Sequence, residues 1–135
     1  MKKILIMEDD ARSASSLAFR LRAAGYNTVS AADGFAGLRS ALRNKSHLVL
    51  VDLWLPNAID FSSAEEMKRR HPTMPVIFIG AGKKSDLLGT AKKLGATDFF
   101  EKPYDSEQLL QVIARALDSQ EAGTVAEGTF AAVTC

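Results

Sequence analysis

Cysteine is all but missing from this chain: Cys135, the last of 135 residues, is the only one. No intramolecular disulfide can form, and a reducing compartment is the natural reading. An excess of one charge is missing too. Seventeen basic against sixteen acidic residues leave a formal net charge of +1, so the basic surplus on which nucleic-acid binding depends is not there. Long apolar runs are also lacking. None approaches the ~18 residues of a membrane span. The opening MKKILIMEDD has four apolar residues in a row, Ile4 to Met7, before three acids, whereas a secretory core needs at least ~7. These absences predict a soluble, cytoplasmic protein with no direct nucleic-acid or membrane partner. What is present is a globular balance, 47% apolar and 24% charged, at a length that suits one domain with a real core.

Apolar runs of strand length alternate with segments of helical period. KILIM (3–7) reads as a strand, and Ala14, Leu17, Ala18 and Leu21 then recur on one helix face, with Asp10 placed as N-cap and Gly25 as the residue just past the C-cap. YNTVSA (26–31) is a weaker strand, and Asp33 can cap a helix carrying Phe35, Leu38, Ala41 and Leu42. HLVLVD (47–52) is too continuously apolar for a half-exposed strand and suits the middle of a parallel sheet. Ser62 or Ser63, followed by Glu65 or Glu66, offers a capping box for a third helix with little apolar surface beyond Ala64 and Met67. PVIFIG (75–80) is a fourth strand. Leu87, Ala91 and Leu94 mark a helix that Gly95 ends, and TDFFE (97–101) is a fifth strand. Asp105 with Gln108 caps a last helix along Leu109, Val112, Ile113, Ala116 and Leu117. Five β-α units in succession predict an α/β fold, a parallel sheet with helices on both faces and right-handed crossovers. Residues 1–119 are expected to form the domain and 120–135, with no clear period, a flexible tail or linker stub too short for an output domain.

Ligands of open parallel sheets bind beyond the carboxyl ends of the strands. Those ends lead here into Glu8, Asp9 and Asp10, into Asp52, into Gly80, and into Lys102-Pro103. With strands one, three, four and five as neighbours, several carboxylates and one lysine meet in a small pocket. Crowded carboxylates must protonate or bind a cation. The available ligands are all oxygens, which suits Mg²⁺ better than Zn²⁺. Such a metal beside a carboxylate and a lysine is an arrangement for handling phosphate, with the carboxylate as nucleophile.

On ILIMEDD, LVLVDLWLP, PVIFIGA and GATDFFEKPYDSEQLL, in that order across residues 2–119, the chain strongly resembles the receiver domain of two-component response regulators. The resemblance implies a flavodoxin-like, doubly wound five-stranded parallel sheet in order 2-1-3-4-5 with five helices. It implies Asp52 as the phosphoacceptor, phosphorylated by a sensor histidine kinase or phosphotransfer protein. It implies Asp9 as direct Mg²⁺ ligand, Glu8 holding the metal through water, the Trp54 backbone carbonyl as a further ligand, and Lys102 pairing with Asp52 and then with the phosphoryl group. The Lys102-Pro103 bond resembles the family's cis peptide. A domain of this kind catalyses only its own phosphorylation and dephosphorylation and relays the result to a downstream protein target through the face of helix 4, strand 5 and helix 5. Whether that face also forms a homodimer is left open.

The chain departs from the family pattern at Gly80, where Ser or Thr normally grips the phosphoryl group, and a hydrogen bond to a charged group is worth roughly 1.5–3 kcal/mol. Phe99 stands at the family's switch aromatic, and a glycine at 80 is expected to let it sit inward without phosphorylation. The loop after Asp52, PNAIDF, has no glycine, and Trp54 is unusually large for its place beside the path of attacking water. Two other functions compete: a receiver-like interaction module that works unphosphorylated, and a Mg²⁺-dependent phosphohydrolase, which would need an acid or insertion the short loops do not offer. The arginines at 12, 20 and 22, the run 68–71 and both histidines read as solvated charges.

Overall fold

The computed structural model describes residues 1–53, 58–80, 89, 91–93 and 95–119. Five strands, β1 (Lys3–Met7), β2 (Asn27–Ala31), β3 (Leu48–Leu53), β4 (Val76–Gly80) and β5 (Asp98–Glu101), alternate with helices α1 (Ala11–Ala23), α2 (Gly34–Asn44) and α3 (Ala58–Arg70). Helical residues 89 and 91–93 represent α4, and 106–119 form α5. The sheet runs β2-β1-β3-β4-β5, and every pairing is parallel. This is the doubly wound, flavodoxin-like order that the resemblance implied.

The strands are apolar on both sides because each side meets a helical layer. Ile4, Ile6, Leu48, Leu50, Ile77 and Ile79 face Leu17 and Leu21 of α1 and Leu109, Ile113 and Leu117 of α5. Leu5, Met7, Val49, Val51, Val76 and Phe78 face Ala41 of α2, Ala64 and Met67 of α3, and Ala91 of α4. The α1 stripe read from the sequence is the buried one, Ala14, Leu17, Ala18 and Leu21. Gly25 has φ +99°, and the Gly25 and Tyr26 N–H groups donate to Arg22 O and Leu21 O, the paired bonds of a Schellman turn. Asp33 caps α2 by accepting from Ala36 N–H at 2.8 Å. Asp105 caps α5 by accepting from the N–H groups of Glu107 and Gln108. The side chains of Phe35, Leu38 and Leu42, together with residues 87 and 94, lie outside what is described.

The expected start of α3 is wrong. The helix is already running at Ala58, so Ser62 and Ser63 are interior positions, and Ser63 is buried. Glu66 does not reach back to cap; its carboxylate pairs forward with Arg69 and Arg70. Burial of Ala64 and Met67 against the sheet and packing of α3 along α2 set its extent, and a local Ser-x-x-Glu match does not register either. The run 68–71 is not uniformly solvated. Lys68 Nζ, half-buried, donates to Pro72 O at 3.0 Å and Met74 O at 2.8 Å, which holds the turn into β4. His47 is likewise engaged, its Nδ1 accepting from Lys3 N–H at 3.0 Å.

Candidate functional site

Parallel strands of similar register deliver their last residues to one edge of the sheet, and the chain places charge there. Glu8 follows β1 and is held by its N–H, which donates to Ala31 O at 2.9 Å. Asp52 lies within β3, opposite Ile79 in the register. Lys102 follows β5, and its N–H donates to Gly80 O at 2.8 Å, so the end of β4 fixes where the lysine leaves the sheet. The Lys102-Pro103 peptide is cis. Glu8, Asp9, Asp10, Ser13, Asp52 and Lys102 line one cavity of about 420 Å³.

At its base Lys102 Nζ stands 2.8 Å from Asp52 Oδ1, with side-chain exposures of 28% and 7%. Oδ1 is buried, and among the described residues its partner is this ammonium, with an approach that is short but poorly angled for a hydrogen bond. Burial first, and then the neighbouring Asp52 carboxylate, push the Glu8 carboxyl up to about 7, with Lys102 opposing and Asp9 adding a little. Burial alone would lower the Lys102 ammonium, but Asp52 and Glu8 outweigh it and raise its pKa. The site thus holds more negative charge than one lysine neutralises.

The donor set suits a hard divalent cation. Its ligands are carboxylate oxygens, burial and the Asp52 charge make Glu8 hold its proton more tightly than usual, and the buried Asp52 Oδ1 is approached by one ammonium among the described residues. No group of three acids or histidines among the described residues is already gathered tightly enough to cage a metal. Mg²⁺ needs no such cage, because it commonly keeps several waters and takes only one or two carboxylates. Asp10 is committed elsewhere: it caps α1, accepting from Arg12 N–H at 3.2 Å and Ser13 Oγ at 2.9 Å. The Trp54 carbonyl lies outside the described residues.

Gly80 is buried at the end of β4 and pairs with Glu101 of β5. Phe99 lies inward, 1% exposed, its ring centroid 6.5 Å from that of Phe78. Sequence reasoning missed the other flank of the site. Asp52 and Lys102 also line a second cavity, of about 680 Å³, with Arg12, Ser16, Arg20 and Tyr104. The signal was available in the spacing of residues 12, 16 and 20, which puts all three on one helix face, but nothing local says that this face borders the loop after β5.

Comparison with known proteins agrees with this architecture. The response regulator receiver domain family matches residues 4–114. Response regulator ArlR of Staphylococcus saprophyticus is 38% identical over 122 residues, 89% of this chain and 54% of that protein. Transcriptional regulatory protein RprY of Bacteroides fragilis is 33% identical over 107 residues, 79% of this chain and 45% of that one. The chain therefore spans about half the length of these two relatives. A receiver domain protein from Methanospirillum hungatei superposes with a TM-score of 0.83 at 28% identity, covering 90% of this chain and 97% of its own. NtrX from Brucella abortus, solved with ADP, gives 0.84 at 28%, covering 94% of this chain and 30% of its own. With the sheet order, the acid pocket and the family match in agreement, the chain belongs to the response regulator receiver domains of two-component signal transduction.

Proposed function

We propose that this domain accepts a phosphoryl group on Asp52 from a sensor histidine kinase or phosphotransfer protein and passes the signal on through altered contacts with a downstream protein. The observation that carries the reading is the Asp52–Lys102 ion pair at the base of an acid-lined cavity. A carboxylate oxygen of Asp52 attacks phosphorus, the bond to the donor nitrogen breaks with its electron pair, and the ring leaves as neutral imidazole, its other nitrogen having taken a proton from solvent. Lys102 first holds the carboxylate in place and then turns its charge to the phosphoryl oxygens, which carry the negative charge of the transition state. Glu8 and Asp9, with Asp52 and the Trp54 carbonyl, are the proposed Mg²⁺ ligands; bound there, the metal supplies charge neutralisation for the phosphoryl oxygens. Residues 1–119 are taken as the functional unit, working in the cytoplasm.

A second reading has one observation in its favour. Phe99 is inward in the unmodified chain, beside a strand end where Gly80 brings no hydroxyl to couple it to a phosphoryl group. On this reading the output face is preset and partner binding is largely independent of phosphorylation. The two are separated by intact mass after incubation with Mg²⁺ and a small-molecule phosphodonor, run alongside Asp52→Asn. One phosphoryl adduct that disappears in the variant supports the phosphoacceptor. A folded, Mg²⁺-binding protein that takes no phosphoryl group from either a small donor or a kinase leaves the preset module.

A further inference from the structure

The Asp52–Lys102 pair lies between two cavities of opposite character. On one side Glu8, Asp9 and Asp10 make an acid pocket. On the other, Arg12, Ser16 and Arg20 of α1 face Tyr104, and the groove between them, about 680 Å³, also ends on Asp52 and Lys102. Its volume lies within the ~300–1,000 Å³ of small-molecule sites, and its charge is that of an anion subsite. Arg20 is exposed and has no ion-pair partner among the described residues. The Tyr104 ring is held edge-on against Phe100, centroids 6.3 Å apart at 75°, which fixes where its hydroxyl points without using that hydroxyl. Burial and then the Asp52 charge raise the Tyr104 pKa, with Lys102 and Arg20 opposing, so the hydroxyl stays protonated as a donor and lies within electrostatic reach of both the nucleophile and the arginine.

We propose that this groove is a leaving-group subsite for a small anionic phosphodonor of the acyl phosphate class, in which Arg20, assisted by Arg12 and the Tyr104 hydroxyl, receives the departing carboxylate. The assignment rests on Asp52 being the phosphoacceptor. An Asp52 oxygen forms the new bond to phosphorus, and the bond from phosphorus to the acyl oxygen breaks with its electron pair. The acid leaves as a carboxylate with one negative charge, and no proton need move. On this proposal that charge is directed away from Glu8 and Asp9 and into the groove lined by Arg12 and Arg20. A donor whose leaving group is neutral makes no use of such a subsite.

The test compares acetyl phosphate, which releases acetate, with phosphoramidate, which releases ammonia, by the rate of the phosphoryl adduct in intact mass with Mg²⁺. Arg20→Ala is expected to slow transfer from acetyl phosphate about tenfold and from phosphoramidate less than about twofold, as for loss of one charge-assisted hydrogen bond. Arg20→Lys keeps the charge and should restore most of the rate; Tyr104→Phe, which keeps the ring packing, should show a smaller loss with the same donor preference. Equal losses with both donors, or none, overturn the proposal. A second measurement uses Asp52→Asn, which binds without transfer: acetyl phosphate should shift the amide resonances of residues 16, 20 and 104, and Arg20→Ala should remove those shifts. Absence of the shifts overturns the subsite. No adduct in the wild type with acetyl phosphate, phosphoramidate or a kinase, together with shifts that depend on Arg20, would sink the phosphoacceptor reading and leave the anion subsite standing.

Discussion

The two ends of the sheet are built on different terms. At the amino ends of the strands, polar groups that approach the core are tied off by neutral or backbone partners. Lys3 N–H donates to His47 Nδ1 while His47 N–H donates to Lys3 O, and Lys68 Nζ closes on two carbonyls. Ser46 Oγ is buried there without a hydrogen bond among the described residues, but a lone neutral hydroxyl is a smaller burden than a lone charge. At the carboxyl ends the accounts stay open. Among the described residues, buried Asp52 Oδ1 has only the approach of Lys102, and burial with the Asp52 charge raises the Glu8 pKa to about 7. One end ties off its polar groups, and the other leaves excess negative charge where the cation and the phosphoryl group are proposed to bind. The lesson is that strain in this molecule is concentrated where its chemistry is proposed.

The contrast can be broken first at Asp52. Asp52→Asn is expected to abolish the phosphoryl adduct while raising the melting temperature of the metal-free protein, since it removes repulsion with Glu8. A fall in melting temperature would show that the carboxylate is stabilising as it stands. Lys102→Met should slow transfer about a hundredfold, the scale of losing one preorganised charge at a developing anion, with the fold intact by circular dichroism. An unchanged transfer rate would remove Lys102 from the mechanism.

The third expectation sharpens the electrostatics of the open end. The folded-state pKa of Glu8 is raised from 4.5 to about 7, so folding takes up a proton between these values. By linkage the metal-free protein loses this share of its stability as pH rises through that window. Mg²⁺ competes with the proton, so its stabilising shift of the melting temperature should be small at about pH 5.5 and larger at about pH 8, where EDTA should reverse it. Equal shifts at both values would mean that Glu8 does not feel the metal. At the closed end the effect is smaller and of the other kind. Lys68→Met should destabilise by about 1–2 kcal/mol in urea melts, as for loss of a charged donor from two carbonyls, and leave the rate of adduct formation unchanged. A changed rate would show that the two ends are coupled.

How much of this was written in the chain depends on whether the signal is local. The α1 stripe at 14, 17, 18 and 21, the Asp10, Asp33 and Asp105 caps, and the turn at Gly25 involve neighbours in sequence, and each is found as read. The same local logic failed for α3, where tertiary packing against α2 and the sheet outweighs a four-residue capping pattern. Lys68 and His47 read as solvated because their acceptors and donors come from loops and strands that no local pattern brings near. Gly37 was equally silent: a methyl group there would stand 2.7 Å from Cγ and Sδ of Met7, a constraint set by how α2 lies across β1.

The sequence by itself determined the alternation of strands and helices, the apolar character of both sheet faces, and the kinds of group that end the strands, because each follows from periodicity and from the chemistry of side chains. It therefore pointed to an acid-rich edge with one lysine. Only the tertiary structure decided that Lys102 Nζ and Asp52 Oδ1 stand 2.8 Å apart, that Phe99 is turned inward, and that Arg20 and Tyr104 share a groove with the same aspartate. Those relations join residues tens of positions apart in the chain. They are fixed by strand order and register, which depend on how all the buried surfaces fit together at once.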